Sequence, residues 1–130
     1  MKRKHCFILC FITLIAACTK DNETAPTGNF IGSWKCNEGT GTMFTIEITK
    51  LNDTEINIKN FSNYGDHANA KCEISSSSLS IATQDFNDLP NVQNIVSSGS
   101  GIYSKTGSTE KLTMSYTVDS IVFNNVVCTR

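Results

Sequence analysis

Only two histidines, His5 and His67, occur among the 130 residues of this chain. A Ser-His-Asp arrangement needs a histidine base beside its nucleophile, and a zinc centre needs several Cys or His ligands at suitable spacing. Neither pattern is present in the sequence, and no EF-hand spacing of carboxylates points to calcium. Asp85 and Asp88 fall in a turn-like stretch, where Asp hydrogen-bonds local backbone, rather than across a cleft as a glycosidase pair requires. The expectation is a protein that is not an enzyme and carries no cofactor or metal. Charge is sparse, 18 % of residues, with 11 basic to 12 acidic side chains. No basic cluster exists beyond the first four residues, which argues against nucleic acid as a partner. The longest apolar run, Phe7 to Cys18, stops at Thr19-Lys20-Asp21-Asn22-Glu23 and falls short of the roughly 20 residues that cross a bilayer. A sustained 3.6-residue apolar stripe is also missing, so the pattern is not that of a helical domain.

What is present begins at the N-terminus. Lys2, Arg3 and Lys4 precede the apolar run, which ends in Leu14-Ile15-Ala16-Ala17-Cys18. A basic start, a short apolar core and small residues before a cut define an export signal. Ile15-Ala16-Ala17-Cys18 resembles the lipobox of bacterial lipoproteins. The resemblance implies that residues 1–17 are removed, that the Cys18 thiol carries diacylglycerol, and that the new amine is acylated too. Each buried methylene is worth about 0.8 kcal/mol, and two or more chains anchor stably where one does not. The expected location is therefore the bacterial cell envelope, at the outer membrane, facing the periplasm or the cell surface. Residues 18–28 read as the lipidated cysteine and a flexible tether, because the stretch is polar and is broken by Pro26 and Gly28. Lys20-Asp21-Asn22-Glu23 resembles the short surface-export signals of Bacteroidetes lipoproteins. The mature chain keeps eight basic residues against all twelve acidic ones and is long enough for one domain, residues 29–130.

From Asn29 onward the apolar period is two. Phe44, Ile46 and Ile48 alternate with Thr45, Glu47 and Thr49, and Leu112, Met114, Tyr116 and Val118 alternate with Lys111, Thr113, Ser115 and Thr117. Such alternation marks strands with one dry and one wet face. Strands are expected at 29–36, 42–50, 54–61, 67–74, 79–84, 94–104, 110–118 and 121–129, separated by Gly, Asn, Asp and Ser turns. The fold class is all-β, an eight-stranded antiparallel meander closed as a barrel, which removes both exposed edges; an open sandwich is the alternative.

Gly32-Ser33-Trp34 on the first strand, with seven strands after it, resembles the lipocalin or calycin pattern. Cys36, Phe44-Thr45-Ile46-Glu47-Ile48, Ser98-Gly99-Ser100-Gly101, Leu112-Thr113-Met114-Ser115-Tyr116 and a late Cys128 make the domain resemble small lipocalin-like lipoproteins of Bacteroidetes. Lipocalins pack a later arginine on the tryptophan, and Arg130 is the candidate here. Cys36 and Cys128 lie on the first and last expected strands, which are neighbours in a closed barrel, so a disulfide there would staple the seam. Cys72 shares its face with Ala68, Ala70 and Ile74 and reads as a buried, inert thiol. Trp34, Phe44 and Tyr116 are the candidate ligand-contact or core residues, with Trp34 read as the plug of one barrel end. Gly99 and Gly101 read as positions for a bulge or tight bend.

These features imply a monomeric, lipid-anchored binding module for a small apolar ligand or an envelope protein. The alternative is a structural, interaction or inhibitor protein with a filled barrel. For the latter, Tyr64 and Phe86 in loops are the expected contact residues.

Overall fold

The structure, a computed structural model, describes residues 26–130. The signal at 1–17, the acylation site Cys18 and the tether up to residue 25 lie outside the described residues.

Nine antiparallel strands follow one another: β1 (Gly32–Asn37), β2 (Met43–Lys50), β3 (Glu55–Lys59), β4 (Asn69–Ser75), β5 (Ser78–Ile81), β6 (Gln84–Asp85), β7 (Ile95–Thr106), β8 (Thr109–Val118) and β9 (Ile121–Thr129). Each pairs with its neighbour in the order β5-β4-β3-β2-β1-β9-β8-β7-β6, and a further β5–β7 pairing closes the sheet. Eight strands thus form a closed barrel, with β6 as an extra strand on β7. Alternation explains the wall. Phe44, Ile46 and Ile48 of β2 and Leu112, Met114, Tyr116 and Val118 of β8 are buried, while Thr45, Glu47 and Thr49 are exposed.

The first strand starts later than the periodicity suggests. Pro26–Asn29 form a 3-10 turn, and Thr27 is only 1 % exposed. The turn at Pro26–Asn29 thus packs with the barrel through Thr27. Apolar burial of the following Phe30 holds the turn against the barrel. Among the described residues, the Thr27 hydroxyl is the one buried side-chain polar atom without a hydrogen-bond partner.

The expected strand 79–84 is also broken. β5 stops at Ile81, and the chain restarts as β6 against β7 only. Where β5 leaves β4, the Gln84 side chain takes over: its Nε2 donates to the Lys71 carbonyl at 2.8 Å, and its Oε1 accepts from the Lys71 amide at 2.8 Å. One side-chain amide thereby replaces a peptide group in the ladder. A groove of about 360 Å³ opens at this break, with Cys72 and Ile81 in its lining.

Cys36 and Cys128 are direct partners across β1 and β9 and form a disulfide. The bridge spans a sequence separation of 92. Loop-closure entropy puts its contribution at about 4–5 kcal/mol, the upper end of what such bridges deliver.

Candidate functional site

The two barrel ends differ in construction. At one end, Trp34 is fully buried, and its Nε1 donates to the Phe30 carbonyl at 2.8 Å. The Arg130 guanidinium lies over its ring, 4.2 Å from the centroid. That guanidinium also donates to the carbonyls of Asn29, at 3.0 Å, and Ile31, and pairs with Glu110 at 2.6 Å. Glu110 in turn accepts from the Tyr103 hydroxyl at 2.8 Å. Gly32 makes this possible, because a Cβ there would come within 2.9 Å of Arg130 Nη1. Gly32, Trp34 and Arg130 thus form one sealing unit, and the chain joins the domain at this closed end.

The opposite end carries the β1–β2 loop (38–42), the β3–β4 loop (60–68), the β6–β7 loop (86–94) and the β8–β9 turn (119–120). An aromatic plug fills it. Phe61 packs on Phe86 and Tyr116 with centroids at 5.1 and 4.7 Å, Tyr64 meets Phe86 edge-on at 5.3 Å, and Phe123 lies 5.2 Å from Tyr116. Glu38 sits above the plug and accepts from the Tyr116 hydroxyl at 3.0 Å and the Ser62 hydroxyl at 3.3 Å. Burial pushes the Tyr116 phenol well above the ordinary tyrosine range, and the Glu38 charge adds to that shift. Tyr64 is raised as well, by burial first and then by Asp119 and Glu38. Both phenols stay protonated at neutral pH, and the Tyr116 hydroxyl serves as a donor to Glu38.

Backbone strain gathers at this loop end. Asn60, Ser62, Asn63, Asn91, Asp119 and Ser120 all have left-handed φ angles, between 46° and 71°. Asn, Asp and Ser tolerate that region better than bulkier residues because short polar side chains bond locally. Asn60, for example, donates to the Thr45 carbonyl at 2.8 Å and accepts from the Gly65 amide at 2.7 Å. Asp119 accepts from Asn94 at 2.8 Å and from the Ile95 amide at 2.9 Å, tying the 86–94 loop to the β8–β9 turn. Those two bonds hold its carboxyl below the usual carboxylate range. Concentrated strain of this kind recurs at functional sites, though it also accompanies tight turns.

The interior between the two ends is packed. Trp34, Phe44 and Tyr116 are 0, 7 and 3 % exposed and belong to one core cluster. The β7 glycines lie in register with side chains of the two strands that flank them. A Cβ on Gly99 would lie 2.9 Å from Ile81 Cδ1 and from Tyr116 Cβ, and one on Gly101 would lie 3.0 Å from Leu79 and Met114. Gly99 and Gly101 therefore leave room for the side chains of the adjacent strands β5 and β8 to lean over β7. The bulge in β7 falls earlier, between Val96 and Ser98.

Phe86 is not a surface contact: it is fully buried, because the 86–94 loop folds back and donates the Asp88 amide to the His67 carbonyl. Tyr64 is half-buried against it. Asp85 accepts from the backbone amides of Asn87 and Asn94, so its carboxylate shapes the loop. Cys72 is 2 % exposed and its thiol is pushed up to about 12 by burial, which removes it as a nucleophile at neutral pH. Among the described residues, no group of three or more His, Cys, Asp or Glu is placed to hold a metal ion. Glu38, Ser62 and the exposed Ile121 and Val122 carry no motif. The one available signal is Ile121-Val122-Phe123, an apolar run that violates alternation at a strand start.

The class defined by this geometry is a small closed antiparallel β-barrel with a stapled seam, one sealed end and one looped end. Comparison of the chain with protein-family models, with curated proteins and with solved structures finds no match.

Proposed function

We propose that this protein is a lipocalin-like, lipid-anchored lipoprotein of the bacterial envelope that recognises a macromolecular partner through its loop end, without catalysis and without a ligand inside the barrel. The filled interior carries this reading: Trp34, Ile46, Ile58, Phe61, Leu112 and Met114 are buried in one core cluster, and the Phe61, Phe86 and Tyr116 rings close the loop end over it. The Gly32-x-Trp34 and Arg130 unit supports the lipocalin likeness.

Two measurements test the reading. Intact mass of the protein purified from its native envelope is expected to show cleavage before Cys18 and the added acyl chains; an unmodified N-terminus overturns the anchor. A photo-crosslinking residue at position 122, at the loop end, is expected to trap a discrete partner in cells, whereas one at position 51, in the β2–β3 turn, is not. Crosslinks from position 51 alone overturn the choice of surface.

A further inference from the structure

Seven large apolar side chains stand exposed among the described residues: Met43, Leu51, Leu89, Val92, Ile102, Ile121 and Val122. Five of them ring the loop end, leaving Leu51 at the closed end and Ile102 on the wall. Leu89 and Val92 lie on the 86–94 loop and Ile121 and Val122 beside the β8–β9 turn. The Asp119 bonds to Asn94 and Ile95 hold those two segments together. Exposed apolar residues grouped this way mark interaction surfaces, whereas scattered ones do not.

Charge divides between the ends in the same sense. Glu38, Asp66, Asp85, Asp88 and Asp119 belong to the loop end, with Lys59 as their basic neighbour. Lys59 pairs with Asp66 at 3.7 Å, and among the described residues the other four have no basic partner. Neutral donors position them instead: Asn69 donates to Asp88, Asn87 and Asn94 amides to Asp85, and Tyr116 and Ser62 to Glu38. The closed end holds more basic groups, with Lys50 on Asp53 and both Lys105 and Arg130 on Glu110, and leaves Glu55 and Glu73 as its carboxylates without a basic partner among the described residues. The loop end is therefore an acidic surface studded with aliphatic side chains, its carboxylates held in fixed places.

We infer that the loop end docks a basic, amphipathic polypeptide segment, whose Lys or Arg side chains meet these carboxylates while its aliphatic side chains cover Leu89, Val92, Ile121 and Val122. This inference deepens, and rests on, the reading of the loop end as the recognition surface. Charge complementarity selects the occupant. An anionic bilayer or a nucleic acid is repelled by the uncompensated carboxylates, and a neutral glycan matches neither the charge nor the aliphatic groups.

Fluorescence anisotropy on the purified full chain tests it, with labelled peptides alternating Lys and Leu, Glu and Leu, or Lys and Ser. The Lys-Leu peptide is expected to bind about tenfold tighter than either other peptide and to weaken about tenfold from low to high salt. A Leu89→Ser, Val122→Ser double variant is expected to lose about tenfold, and a Leu51→Ser, Ile102→Ser variant to lose nothing, with thermal melts unchanged in both. Equal binding of the Glu-Leu peptide, or equal loss in the two double variants, overturns the inference. If that happens while position 122 still crosslinks a partner in cells, the surface stands and the partner chemistry falls. Anionic vesicles binding better than the Lys-Leu peptide would assign the end to a lipid surface instead and equally overturn it.

Discussion

Arg130 and Trp34, separated by nearly the whole domain in sequence, stack with the guanidinium carbon 4.2 Å from the indole centroid. Two backbone carbonyls and Glu110 occupy the guanidinium's donors. Replacing Arg130 with Ala removes the stack and orphans those acceptors, at a partly solvated site. The expected loss is about 1–3 kcal/mol in urea unfolding, and Lys is expected to recover little of it because it lacks the planar fork. A Lys variant as stable as the wild type would show that the stack contributes nothing.

Gly99→Ala places a methyl group 2.9 Å from Ile81 and Tyr116 side-chain atoms. Overpacking of that kind costs about 1–3 kcal/mol, and Gly101→Ala, with contacts at 3.0 Å, is expected to cost less. Stability unchanged at both sites would mean that the flanking Ile81, Leu79, Tyr116 and Met114 side chains yield at no cost.

Gln84→Leu leaves the amide and carbonyl of Lys71 without their protein partners. Lys71 is exposed, so water recovers part of the loss, and a decrease of about 1–2 kcal/mol is expected. Faster hydrogen exchange confined to the Lys71 amide, rather than spread along β4, checks the mechanism.

Thr27→Val keeps the side-chain shape and deletes a buried hydroxyl that has no hydrogen-bond partner. Stability is expected to hold or rise, by up to about 2 kcal/mol. A clear fall in the unfolding midpoint would reveal a hydrogen bond that the hydroxyl makes in solution.

The loop end carries a pH dependence through Asp119. Its folded-state value is depressed by Asn94 and the Ile95 amide, so its contribution is full above the unfolded-chain value and disappears as pH falls through the folded value. Asp119→Asn is therefore expected to be less stable than wild type at neutral pH, with the gap closing on acidification. The Ile95 amide resonance should titrate with it. A gap that widens at low pH reverses the assigned sign.

Most of the wall was readable before any coordinates, because alternation is a relation between adjacent residues. Phe44-Thr45-Ile46-Glu47-Ile48 and Leu112 to Val118 state their own inner and outer faces. Closure was expected because it removes both sheet edges, with an open sandwich as the alternative, and the Cys36–Cys128 bridge followed from closure. The recognition surface was not readable in the same way. Phe86 and Tyr64 looked alike as loop aromatics, yet Phe86 became core once the 86–94 loop folded back onto β4.

Composition and period are local properties, and they were sufficient for most of the strands and turns. Whether the barrel is hollow or filled depends on how closely walls far apart in the chain come together. Part of that packing is the meeting of Ile81 and Leu79 of β5 with Tyr116 and Met114 of β8 over the glycines at 99 and 101 of the strand between them. The Glu38–Tyr116 bond joins residues 78 positions apart. A pairing of that range leaves no periodic trace, so the plugged end and its acidic, aliphatic rim emerge only when the sheet closes.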